Sequence, residues 1–143
     1  MRNLHKGFTL IELVVVITIL GILAAFAIPR FTSLEVQARS AAVQALGGSV
    51  RSATALAHAQ WLAMGTAPAT IAMENKTITI SNGYPNVATL PDTLQDSSGF
   101  AWDATTGRFT KVGAATPTTC SVTYTAAAAG GVPNIAVDVS NCQ

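Results

Sequence analysis

Phe8–Ile28 reads FTLIELVVVITILGILAAFAI, and 17 of its 21 residues are apolar, the exceptions being Thr9, Glu12, Thr18 and Gly21. Roughly 20 apolar residues, rising about 1.5 Å each as a helix, cross the ~30 Å hydrocarbon core of a bilayer. The stretch therefore predicts a membrane-spanning helix. A core helix of a small domain would show a polar face, and this stretch has none. Arg2 and Lys6 stand in front of it. Positive charge held on the cytoplasmic side predicts an N-terminus inside and the remaining chain outside. An ordinary secretory signal is the competing reading, with Ala25-Phe26-Ala27 as its cleavage site. Two features oppose it. The run exceeds the usual ~7–15 residues of such a signal, and Glu12 inside it costs about 2.5–3.5 kcal/mol near a helix centre. A carboxylate kept there needs a proton or a cation, and that makes it a candidate functional group.

The rest of the composition fits that division. The chain has 143 residues, half of them hydrophobic and 10% charged, with mean hydropathy +0.42. That excludes intrinsic disorder and leaves room for one small domain beside the span. Eight Lys/Arg against seven Asp/Glu give a formal +1 with no basic run, so no nucleic-acid surface is predicted. Cys120 and Cys142 are too few for a zinc cage; they suit one disulfide in an oxidising compartment, or else two unpaired buried thiols.

Lys6-Gly7-Phe8-Thr9-Leu10-Ile11-Glu12, followed by an apolar run to Pro29, resembles the class III signal of type IV pilins and pseudopilins. The likeness is dense from Gly7 to Arg30 and weak beyond. It implies a leader over residues 1–7, cleavage between Gly7 and Phe8 by a prepilin peptidase, and N-methylation of Phe8. The mature chain would keep 136 residues, with six Lys/Arg against seven Asp/Glu. Residues 8–29 would then form the transmembrane and polymerisation helix, and residues 30–143 a periplasmic or extracellular head. The resemblance further implies a helical homopolymer, an inner-membrane assembly platform, a separate motor ATPase and no cofactor. It pairs Glu12 with the Phe8 amine of a neighbouring subunit. The amine of the same chain is a rival, because Phe8 and Glu12 share a helical face.

Pro29 lacks the N–H that the Ala25 carbonyl would accept, so the helix is expected to kink there, with Gly21 as a second point of bending. The helical pattern then resumes to Met64, and Gly65 followed by Pro68 makes a stop. Phe31, Ala38, Ala42, Ala45, Leu46, Ala53, Leu56, Ala57 and Met64 fall on one side, and Gln37, Ser40, Gln44, Arg51 and His58 on the other. Gly47-Gly48 reads as a weak point. Beyond Gly65 the period becomes two. Thr77–Ile80, Phe100–Trp102, Arg108–Val112, Cys120–Tyr124 and Ile135–Val139 are strand candidates, with an Asn82-Gly83 turn. The predicted fold is α+β: a long N-terminal helix, half transmembrane, packed in its second half on three to five antiparallel strands, the lollipop of a pilin. Cysteines bracketing a C-terminal loop also resemble the pilin arrangement, which implies a Cys120–Cys142 bridge.

Little else points to chemistry. There is no P-loop and no histidine or cysteine grouping that would ligate a metal. His58 reads as a solvated side chain, and Asp92, Asp96 and Asp103 as surface carboxylates matching no calcium loop. Asn75-Lys76-Thr77 spells a glycosylation sequon and nothing more, and Ala126–Gly131 reads as a plain surface loop. The expected function is a non-enzymatic structural subunit of a type IV pilus-like filament for attachment or motility. Asn82-Gly83-Tyr84-Pro85, the leader and the cysteine pair are most similar to pilins of the mannose-sensitive haemagglutinin type. The expected course runs from a single-pass inner-membrane protein to an extracellular pilus. A type II secretion pseudopilin in the periplasm is the alternative. From another class comes a soluble periplasmic binding module released after Ala27.

Overall fold

A computed structural model describes residues 7–143; Arg2 and Lys6 of the expected leader lie outside the described residues. Helix α1 runs Leu10–Met64 with Pro29 inside it. The chain divides into two compact units, Met1–Glu35 and Val36–Gln143.

The described part of the first unit is helix from Leu10 onward. Thr9 starts it: its Oγ1 accepts the Glu12 backbone N–H at 3.3 Å, and its carbonyl accepts the Leu13 N–H. Hydroxyls within the helix are satisfied locally, Thr18 donating to the Val15 carbonyl and Thr32 to the Pro29 carbonyl.

In the second unit the rest of α1 packs on two antiparallel sheets. The first comprises β1 (Thr70–Met73), β2 (Lys76–Ser81) and β3 (Tyr84–Pro85), in that order. The second comprises β4 (Phe100–Asp103), β5 (Arg108–Lys111), β6 (Ser121–Thr125) and β7 (Asn134–Asp138), also in chain order. Two-residue turns with both residues at positive φ join the first sheet. Glu74 (47°) and Asn75 (65°) link β1 to β2, and Asn82 (53°) and Gly83 (85°) link β2 to β3. Such turns match the right-handed twist of a hairpin. The expected strands and the Asn82-Gly83 turn are present. Among the described residues the seven strands exceed the three to five expected, the additional ones being β1 and β3. Glu-Asn is an unusual pair for such a turn, and β3 is only two residues long.

The core forms two clusters on α1. Val43, Leu46 and Val50 join Leu90, Leu94, Phe109, Val122, Tyr124 and the cysteines, while Ala57 joins Ile71, Ile78 and Ile80. Tyr124 ties the two sheets together, its hydroxyl donating to the Pro85 carbonyl at 2.6 Å. The buried helical face is therefore rotated from the expected one. Ala45, Leu56 and Met64 are exposed, whereas Val43, Gly47, Val50 and Thr54 are buried. Gly47 is no weak point in this setting. A Cβ there would come within 2.5 Å of Val137 Cγ2, so its lack of a side chain lets β7 approach the helix. Cys120 and Cys142 are bridged, with Cα atoms 4.8 Å apart. The C-terminal end is held further by Arg39 Nη1 donating to the Cys142 carbonyl and by the Asn141 N–H donating to the Thr119 carbonyl.

Candidate functional site

The candidate site is the surface of the apolar helix. From Phe8 to Leu34 its large hydrophobic side chains are all exposed, between 40% for Val14 and 83% for Phe8. So large an apolar surface is not stable in water and marks contact with lipid or protein. The 18-residue window that best fits a bilayer has a mean hydropathy of 2.8 and is 0% buried.

Glu12 is the acidic residue of the first helical turn. It stands three residues after Thr9, the spacing of a capping box, in which a threonine caps the helix and a glutamate sits near the exposed N–H groups. Thr9 thus has a local role that the sequence reading missed, although the T-x-x-E spacing was there to find it. The partial positive charge of the helix N-terminus favours a carboxylate at this place. Glu12 makes no side-chain bond to any described residue. Gly7 and Phe8 precede the helix in an exposed, non-helical segment, an accessible geometry for a cleavage junction. A Cβ at Gly7 or Gly21 would meet open space, so neither glycine is required by close packing.

The head offers less chemistry. His58 is half-buried, not solvated as expected. Its Nδ1 donates to the Gly83 carbonyl at 2.8 Å, and its ring stacks on Tyr84 with centroids 4.2 Å apart. With Trp61 these rings line an open hollow of about 560 Å³, walled also by Gly130 and Gly131. The Ala126–Gly131 loop is likewise less plain than expected, since Ala127 is buried and its carbonyl accepts the Asn82 amide. The acidic residues are used in local structure. Asp92 pairs with Lys76 at 3.0 Å. Asp96 accepts from Ser98, Asp103 from Thr105 and Thr106, and Asp138 from Ser140. Those hydrogen bonds hold the last three carboxyls below the usual range. Among the described residues no group of three or more His, Cys, Asp or Glu could hold a metal.

Residues 2–28 match the family model for the prokaryotic N-terminal methylation motif. The chain is 58% identical over 55 residues to the type IV narrow pilus major component PilA5 of Thermus thermophilus, covering 38% of this chain and 47% of that protein. It is 45% identical over 53 residues to the type IV major fimbrial protein FimA of Dichelobacter nodosus, covering 37% of this chain and 34% of the relative. A second Dichelobacter nodosus sequence, a fimbrial protein, is 54% identical over 41 residues, or 29% and 26% of the two chains. The chain thus spans less than half the length of these curated relatives. No solved structure matches it.

Proposed function

We propose that this chain is a type IV pilin, the structural subunit of a pilus-like filament assembled through its N-terminal helix. The observation that carries the reading is the exposed apolar helix of Phe8–Leu34, lying in the stretch that matches the methylation motif. Before assembly, lipid covers that surface. Afterwards the same surfaces of neighbouring copies cover one another. In this scheme a prepilin peptidase cuts between Gly7 and Phe8, the new amine on Phe8 is methylated, and a membrane platform with a motor ATPase extracts the subunit. Arg2 and Lys6 hold the leader on the cytoplasmic side. Cleavage after Ala27 would discard almost all of the matched motif, so the secreted binding module is not favoured.

Glu12 supplies what apolar packing lacks. Hydrophobic contact has no directional preference, so greasy helices slide past one another at little cost. A carboxylate that must meet a cation sets the axial level, because a slipped copy leaves a buried charge unpaired. In the proposed filament the Phe8 amine of an adjacent copy is that cation. The head supplies the outer surface, and its disulfide closes the C-terminal loop. The test is to shear filaments from cells and identify the dominant protein. Recovery of this chain with Phe8 at its N-terminus is expected; filaments without it would refute the proposal.

A further inference from the structure

Among the described residues every charged side chain has a partner except two, Glu12 and Arg30. Both lie on the exposed helix of the first unit. They are 18 residues apart, and at 3.6 residues per turn that is five whole turns, so the two side chains leave the helix on one face about 27 Å apart. Between them the surface is apolar. We infer that, in addition to any amine it meets, Glu12 of one copy takes the Arg30 guanidinium of a second parallel copy of this chain, displaced along the helix axis by about 27 Å.

The contact follows from charge complementarity on a single surface. Besides the Phe8 amine, each copy carries one anion at the lower level and one cation at the upper level. When Glu12 of one copy meets Arg30 of the next, Arg30 of the first and Glu12 of the second stay available to repeat the contact. Such a head-to-tail interface does not close on itself, so it propagates as an open polymer. It also gives the Arg30 charge a carboxylate partner, which the pairing of Glu12 with the amine alone does not. A carboxylate can accept several hydrogen bonds, so an amine from one neighbour and a guanidinium from another are compatible. The inference rests on the filament reading and adds a second partner, and a stagger, to its central residue.

A cysteine cross-link reads the stagger directly. Val15 and Leu34, both exposed, flank Glu12 and Arg30 on the same side of the proposed contact. In parallel helices packed about 8–10 Å apart they come level within a turn. A Val15→Cys chain and a Leu34→Cys chain are co-expressed with the unaltered chain, and sheared filaments are mildly oxidised. A disulfide-linked heterodimer is expected. A Phe26→Cys chain, about 10 Å out of level with Val15, is expected to give none. Filaments in which the 15–34 pair stays monomeric, or in which Phe26→Cys links equally well, overturn the stagger. In parallel, Arg30→Lys should keep filament yield within about twofold, and Arg30→Glu should cut it about tenfold while the mature subunit accumulates in the membrane. Unchanged yield from Arg30→Glu also overturns the inference. Absence of filaments from the unaltered chain would strike the filament reading itself, and that is seen before any substitution is made.

Discussion

Glu12 sits on an otherwise apolar surface, where removing its charge and shortening its reach have different consequences. Glu12→Val should still insert and be cleaved at Gly7-Phe8, yet assemble poorly, because nothing then sets the axial level. Glu12→Asp keeps the charge with a shorter arm and should be intermediate. The ratio of sheared filament to membrane-resident mature subunit measures both. Tyr124 is the corresponding residue of the head. Burial, with Tyr84 beside it, pushes its phenol up to about 12. An unfolded tyrosine ionises near pH 10. The unfolded chain therefore gives up this proton first, so the contribution is complete below pH 10 and is lost as pH rises towards 12. Tyr124→Phe should cost roughly 1–2 kcal/mol at neutral pH by stranding the Pro85 carbonyl. Its melting temperature should fall less steeply than that of the unaltered chain between pH 10 and 12.

At the scale of elements, the Cys120–Cys142 bridge closes a loop whose ends are 22 residues apart, a constraint worth about 3 kcal/mol in the chain-entropy account. Cys142→Ser should lower head stability by about that much in denaturant melts, and the bridge itself is checked by non-reducing peptide mapping. Gly47→Val should also destabilise the head, by about 1–3 kcal/mol, because the new side chain meets Val137 across the helix–β7 contact. The hydrogen-bonded turn carboxylates Asp96, Asp103 and Asp138 stabilise the fold above the ordinary carboxylate range. That contribution is lost as pH falls through their lowered values. Replacing all three with Asn should flatten the acid limb of the melting curve. Much of this architecture was legible in the chain. The long apolar run, the alternation in Thr77–Ile80 and the Asn-Gly turn each state their element through period or turn chemistry. The buried face of α1 was not legible. So many alanines surround that helix that polarity contrast is weak, and the face is chosen by the close approach at Gly47. Thr54 sits on it because its hydroxyl bonds back to Val50 and Arg51. The stacked position of His58 was hidden for a related reason, since it depends on a two-residue strand far along the chain.

For the whole molecule, the two units have separate physical tasks. The first exposes an apolar surface that lipid or protein must cover. The second buries its own core and carries the disulfide. The proposed maturation links them by removing the leader while keeping the helix. In the proposed filament the polymerised form retains Phe8–Ile28 as its assembly element. Intact mass and N-terminal sequencing of the dominant protein in sheared filaments test it most directly. The expected protein begins at Phe8, with its N-terminal residue heavier by one CH2 from methylation and the Cys120–Cys142 bridge intact. A protein beginning at Ile28 would contradict it, because the helix proposed to hold the filament together would be gone.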